Sequence, residues 1–258
     1  CGRQVHTWPS SYRPGNSVYL LEDGTLVRTA FLAGNLVFSG GGSGGRIEKI
    51  DWDGTLSDST GRIVDCIHAA ARKTGLPAVT DDQAKHIIGL GLTEALEALW
   101  PGVEKHHIER MREAYADHFV NGSRIRTDFF AGARELVADL SRQRHLAVAT
   151  GKSRRGLDRI LSELDMAGHF RITRCADETR SKPHPLMLEE ILAETGFSAS
   201  EALMVGDTSY DLDMANAAGM DALAVSYGAH EEEHLNACGP VSVCRSITEL
   251  RNWIETHG

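Results

Sequence analysis

Apolar and polar positions follow three successive spacings along the chain. Up to residue 45, β-prone runs at 17–21 and 25–29 flank Glu22-Asp23-Gly24, a hairpin signal, and 32–38 reads as a third strand. The tract Ser39-Gly40-Gly41-Gly42-Ser43-Gly44-Gly45 follows as a flexible linker. From residue 59 to 125 apolar positions recur at helical spacing. Ile63, Val64, Ile67, Ala70 and Ala71 share one face, and further helices are expected over 82–88, 93–100 and 103–120, with no strand between them. Beyond Gly132, short unbroken apolar runs alternate with helices. Strands are expected over 145–150, 170–173, 202–207, 222–226 and 241–243, and helices over 132–140, 154–164, 185–195, 210–218 and 247–254.

Strands alternating with helices imply a parallel sheet covered on both faces, an α/β Rossmann-like architecture that binds ligands beyond the carboxyl ends of its strands. The helical block, about 62–128, reads as a cap inserted after the first strand. The expected organisation is a β-hairpin appendage with its Gly/Ser linker over 1–45 and one main domain over 46–258. The first strand is the exception to the pattern. Gly45-Arg46-Ile47-Glu48-Lys49-Ile50-Asp51 places two adjacent charges where a central parallel strand is expected to be apolar. That alternation suits an exposed antiparallel strand.

Composition narrows the function classes. A net charge of −9 and a pI near 5.7 argue against nucleic acid as the partner, because phosphate backbones demand basic surfaces. No apolar run approaches a membrane span. The five cysteines are odd in number and form no CxxC, which suits reduced thiols in a cytoplasmic protein. The twelve histidines show no HxH or HExxH spacing, and His106 and His107 read as solvated.

The candidate chemistry lies where strands end. Asp51 and Asp53 stand two residues apart, and the period of a strand points both to one side. Two such carboxylates repel unless they share a cation, which invites a hard ion such as Mg²⁺. The tetrapeptide alone decides nothing, since Asp23-Gly24-Thr25-Leu26 repeats Asp53-Gly54-Thr55-Leu56 in the hairpin. Thr150-Gly151, at a strand-to-helix turn, can offer a hydroxyl and backbone N–H groups to a phosphate, or can precede an ordinary cap at Ser153. Lys182, before Pro183-His184-Pro185, is a cation on a stiff segment. Asp207 closes an apolar run and Asp211 follows one helical turn later, a pattern that also suits a helix cap.

Taken in order, Asp51-Trp52-Asp53-Gly54-Thr55, Thr150, Lys182 and Gly206-Asp207 through Asp211 resemble the four motifs of the haloacid dehalogenase superfamily. ATGKS, SKPHP and GDTSYD followed by MANAAGM resemble its phosphoglycolate phosphatase-type members. The resemblance covers roughly residues 50–258. It implies a Mg²⁺-dependent phosphatase acting on a small phosphorylated metabolite through an aspartyl-phosphate. Asp51 would be the nucleophile and Asp53 the general acid and base. Thr150, Gly151 and Lys182 would hold the phosphate. Asp51, the carbonyl of Asp53 and Asp207 would hold the metal, with Asp211 supporting its shell. Two alternatives stay open: a phosphosugar mutase of the same superfamily, and a chimera impaired by its charged first strand. Residues 1–56 resemble a fragment of an arylsulfotransferase-type β-propeller, too short to close one, and no site is carried over from it.

Overall fold

The computed structural model describes Arg13–Leu20, Leu26–Phe31 and residues 47–257. The chain divides into two compact units, Cys1–Gly45 and Arg46–Gly258. In the first, β1 (Arg13–Leu20) pairs antiparallel with β2 (Leu26–Phe31), with Val18 opposite Arg28 and Leu20 opposite Leu26. The turn at 22–24, the third strand expected at 32–38 and the Gly/Ser tract lie outside the described residues.

The second unit is built on a parallel sheet of six strands in the order β10-β9-β8-β3-β6-β7. These are β3 (Ile47–Ile50), β6 (His145–Thr150), β7 (Ile172–Cys175), β8 (Ala202–Gly206), β9 (Asp221–Val225) and β10 (Ser242–Cys244). The helices α5 (Ala133–Leu140), α6 (Arg154–Glu163), α7 (Leu186–Thr195), α8 (Ser209–Ala217), α9 (Glu232–Ala237) and α10 (Ile247–His257) complete the core domain. Strand alternation sorts the core into two layers. Ile50, Val148, Leu203 and Val205 pack on one face with Leu136, Leu157 and Leu250. Ile47, Ala147, Met204 and Ala222 pack on the other with Met187, Leu188 and Leu212.

The charged strand β3 is the centre of this sheet. It pairs in parallel with β6 on one side and β8 on the other, and all four of its residues are buried. The reading of an exposed antiparallel strand is therefore corrected. Its two charges point to opposite faces and are accommodated differently. Glu48 lies on the Ile50 face, where Arg144 Nη1 donates to its Oε1 at 2.9 Å. Lys49 lies on the methionine-rich face. Among the described residues its Nζ meets the thioether of Met220 at 3.7 Å and no carboxylate, and burial pushes its pKa down to about 7.

The cap leaves and re-enters this core through a pair of short antiparallel strands, β4 (Ser57–Asp58) and β5 (Asp128–Phe129). Between them run α1 (Thr60–Thr74), α2 (Asp81–His86), α3 (Leu92–Leu99) and α4 (Lys105–Asp117), which closes in a π-helical turn, His118–Gly122. Ile63, Ile67, Leu96, Trp100, Ile108 and Met111 give the cap an apolar core of its own. The expected helix over 103–120 thus changes its winding before its end, and this turn places Phe119 against the site. The strand expected over 170–173 begins instead at Ile172, because the 3₁₀ turn Ala167–His169 takes the chain up to Phe170. The described cysteines, Cys66, Cys175, Cys238 and Cys244, are free thiols. Among the described residues no helix is long and apolar enough to cross a membrane.

Candidate active site

The carboxyl ends of β3, β6 and β8 lie side by side, so the loops that follow them meet. Asp51 leaves β3 with its backbone N–H donating to Val205 of β8 at 3.0 Å. Gly54 then turns the chain at φ +77°, and a Cβ there would stand 2.0 Å from Asp207 Oδ2. The Asp-Gly pair is therefore a requirement of contact as well as of the turn.

Asp51, Asp207 and Asp211 are all buried, with carboxylate oxygens within 4.8 Å of one another. Lys182 is buried among them, its Nζ 2.8 Å from Asp51 Oδ1 and 2.6 Å from Asp211 Oδ1. Burial works against the charge on Lys182, yet Asp211 and Asp51 together hold its pKa above the ordinary lysine value. Burial pushes the Asp51 carboxyl up to about 7 against the pull of Lys182, with the Asp211 charge adding to the rise. Burial, then the charges of Asp51 and Asp211, raise Asp207 well above the carboxylate range. Three acids facing one lysine make a centre short of positive charge.

The donors around these acids divide them by role. Asp211 is fully engaged. Its Oδ1 takes Lys182, and its Oδ2 accepts from the Thr208 backbone N–H at 3.2 Å and hydroxyl at 2.7 Å, the capping box of α8. The cap reading of this motif and its functional reading thus hold together. Asp207 accepts one bond on each oxygen, from Thr55 Oγ1 at 2.8 Å and from the Ala229 N–H at 2.7 Å. Neither oxygen of Asp51 meets a well-aligned hydrogen-bond donor among the described residues. Asp51 and Asp207 are thus the carboxylates with lone pairs to spare for a hard cation, and their crowding is what such an ion relieves.

Asp53 sits at the edge of the cluster. Its Oδ1 accepts from Ser59 Oγ at 2.5 Å and is paired with Lys152 Nζ at 2.9 Å. Thr150, at the end of β6, is fully buried and its Oγ1 accepts from the Lys152 N–H at 3.2 Å, which leaves its hydroxyl proton to donate. Ser153 caps α6, accepting from the Gly156 N–H at 3.3 Å. Gly151 is where the cap closes on the site. A Cβ there would lie 2.5 Å from the Leu90 carbonyl oxygen and 2.7 Å from that of Gly89. The cap is also tied to the core by the Gly91 N–H donating to Ser181 Oγ at 2.7 Å and by His230 Nε2 donating to the His86 carbonyl at 3.0 Å. Beneath the cap a cavity of about 1210 Å³ is lined by Asp51, Asp53, Arg62, Phe119, Lys152 and Arg159, among others.

The structure thus brings Asp51, Asp53, Thr150, Gly151, Lys182, Asp207 and Asp211 to one place. Sequence reading did not find Thr55, Ser59, Lys152 or the Ala229 N–H. Thr55 and Lys152 adjoin residues that were singled out, and their neighbourhood was a usable signal. Ser59 and Ala229 carried none, since they reach the site only through the turn of the chain.

A parallel sheet whose central strand ends in a buried acidic centre, closed over by a helical cap, defines a capped Rossmann-like α/β fold. The chain belongs to the haloacid dehalogenase-like hydrolases, whose family model matches residues 50–225. Tyrosine-protein kinase PtkA of Mycobacterium tuberculosis is 32% identical over 78% of this chain and 69% of its own. Phosphoglycolate phosphatase of Aliivibrio fischeri is 28% identical over 76% of this chain and 90% of its own. A hydrolase from Pseudomonas syringae superposes with a TM-score of 0.75 at 21% identity, over 83% of this chain and 99% of that one, a likeness of fold.

Proposed function

We propose that the protein is a Mg²⁺-dependent phosphatase that hydrolyses a small phosphomonoester, phosphoglycolate-like in class, through an aspartyl-phosphate. The observation that carries the reading is the Asp51 carboxylate, buried at the end of the central strand with neither oxygen engaged by a well-aligned donor. A carboxylate held only by the Lys182 ammonium, 2.8 Å from one of its oxygens, keeps lone pairs free to form a bond. Phosphatases among the similar proteins support the same reaction class.

In the first half-reaction an Asp51 oxygen forms a bond to phosphorus and the ester P–O bond breaks. Asp53 gives its proton to the departing alkoxide. In the second, Asp53 takes a proton from water, the water oxygen bonds to phosphorus, and the Asp51–phosphorus bond breaks to release inorganic phosphate. Asp53 ends as it began. Lys182 and the Thr150 hydroxyl hold the phosphoryl oxygens, with the backbone at Gly151 beside them, the positioning and charge stabilisation that dominate phosphoryl transfer. Asp51, Asp207 and the carbonyl of Asp53 would hold Mg²⁺, and Asp211 would fix Lys182 beside them. Bound there, the ion supplies positive charge that lets two carboxylates and an anionic phosphoryl group coexist.

The test is phosphate release from p-nitrophenyl phosphate with Mg²⁺ and with excess EDTA, for the wild type and Asp51→Asn. EDTA is expected to abolish turnover. Asp51→Asn, which keeps the shape but removes the nucleophile, is expected to lower kcat by at least about 10³-fold, roughly 4 kcal/mol of barrier. Undiminished activity in that variant would overturn the assignment.

A further inference from the structure

Asp65 and Cys66 are neighbours on α1, and the π-helical turn that closes α4 brings His118 back against them. A carboxylate oxygen, the thiol sulfur and a ring nitrogen of these three lie within 4.8 Å of one another. His118 Nε2 stands 3.1 Å from Asp65 Oδ2, although 53 positions separate the two residues. No other described cysteine joins such a group, and none of the three residues belongs to the acid centre around Asp51. Turns wound in this way recur at functional sites.

The turn is shaped to present the imidazole. A Cβ at Gly122 would lie 2.3 Å from His118 Nδ1, so the glycine is what lets the ring lie back over its own turn. The Ser123 N–H donates to the His118 carbonyl at 2.8 Å, and the Ser123 hydroxyl donates to Asp65 Oδ2 at 2.7 Å. The Ser123 bond holds the Asp65 carboxyl below its ordinary pKa against burial, with His118 adding to the fall. Burial pushes the Cys66 thiol up to about 12, and the Asp65 charge beside it adds to the rise. Such a thiol gives up its proton to a metal ion that takes the proton's place. An Asp–His–Ser hydrogen-bond group needs no thiol; what Cys66 adds is a soft donor. Thiolate and imidazole suit Zn²⁺, whereas Mg²⁺ takes oxygen ligands, so this set and the carboxylates at Asp51 call for different metals. Cys66 is fully buried while Asp65 and His118 are partly exposed, which gives an ion a way in from solvent. Phe119, the residue after His118, lines the active-site cavity together with Val120 and Asn121 of the same turn.

We infer that Asp65, Cys66 and His118 form a Zn²⁺ site in the cap, separate from the acid centre, and that the bound ion fixes the turn that carries Phe119 to the active-site cavity. His118 binds through Nε2 as the neutral imidazole, Asp65 as the carboxylate and Cys66 as the thiolate. The Cys66 S–H bond breaks as the Zn–S bond forms, and the proton goes to solvent. Three protein ligands leave a fourth position to water or to the Ser123 hydroxyl. Binding ties α1 to the end of α4 at the point where the winding changes. The site stands whether or not the phosphatase reading holds, since no residue of the acid centre takes part in it.

The probe is Co²⁺, because a thiolate bound to it gives an intense charge-transfer absorption that oxygen ligands do not. The full chain, stripped of metal, is titrated with Co²⁺ under excess Mg²⁺, and Zn²⁺ is then added. The wild type is expected to show the thiolate band, saturating at a single ion per chain and lost as Zn²⁺ displaces Co²⁺. Cys66→Ser is expected to abolish the band, and Cys1→Ser, which changes a thiol outside the described residues, to keep it. His118→Gln is expected to weaken Co²⁺ binding at least about tenfold, no less than the loss of an outer-shell partner costs a metal site. No thiolate band in the wild type, or a band that survives in Cys66→Ser, overturns the site. Should Cys66→Ser fail to fold, undiminished Co²⁺ affinity in His118→Gln overturns it instead. Amide exchange over 118–123 reads the turn, and Zn²⁺ is expected to slow it at least about tenfold in the wild type and not in His118→Gln. Equal exchange with and without Zn²⁺ in the wild type overturns the hold on the turn.

Discussion

Asp51 and Asp53 acquire their meaning from partners that the local sequence does not contain. The tetrapeptide Asp53-Gly54-Thr55-Leu56 also stands at Asp23-Gly24-Thr25-Leu26, so four residues alone do not mark an active centre. What marks it is Asp207 accepting from Thr55 at 2.8 Å and Lys182 standing 2.8 Å from Asp51. The ordered motifs made Asp51, Thr150, Lys182 and Asp207 legible: Thr150 and Asp207 close apolar runs, Lys182 stands before a stiff turn, and Asp51 opens the Asp51-Trp52-Asp53-Gly54-Thr55 motif. Ser59 and Lys152 were not legible, although both hold Asp53 Oδ1, at 2.5 and 2.9 Å. Their role depends on side-chain reach across loops, which no periodicity records. The proton role of Asp53 has a consequence of its own. Asp53→Asn is expected to slow an alkyl phosphate about 10²–10⁴-fold but p-nitrophenyl phosphate far less, since a good leaving group departs without a proton. Steady-state kcat on the two substrates checks this, and equal losses on both would remove Asp53 from the acid role.

At the scale of the element, strand β3 shows how burial can run against pattern. Two adjacent charges suggested a surface strand, yet β3 lies between β6 and β8 with every residue buried. The outcome was hidden because the residues that answer the charges are remote: Arg144 is 96 positions from Glu48, and Met220 is 171 from Lys49. Glu48 is stabilised by an ion pair, whereas the Lys49 ammonium is desolvated against apolar side chains. Removing Lys49 and removing the partner of Glu48 are therefore expected to have opposite effects. Lys49→Met keeps volume and removes the buried ammonium, so it is expected to gain about 1–4 kcal/mol, or about 2–4 °C in Tm per kcal/mol for a domain of this size. Arg144→Met, which takes the partner from a buried carboxylate, is expected to lose about 3 kcal/mol. Thermal unfolding of both variants decides the matter, and a Lys49→Met protein no more stable than the wild type would mean that the strand accommodates its lysine without cost. The helices of the cap were legible from their apolar spacing. The π-helical close of α4 was not, because a change of winding leaves the same apolar face.

For the whole molecule, the parallel sheet does the assembling. Residues spread from Asp51 to Ala229 meet because β3, β6 and β8 end side by side, and the cap closes over them through Leu90 and Gly151. The architecture followed from the alternation of strands and helices. The contacts between cap and core did not, since Gly91 with Ser181 and His86 with His230 each join a backbone group to a side chain on a distant segment. The central claim is that this assembly makes Asp51 a nucleophile. The most direct measurement is rapid acid quench during turnover of a phosphomonoester with Mg²⁺, followed by mass-spectrometric mapping of the phosphorylated peptide. The account predicts a transient phosphoryl group on Asp51, absent when Asp51 is asparagine. A phosphoryl group mapped to another residue, or turnover with no phosphorylated enzyme at any time point, would contradict it.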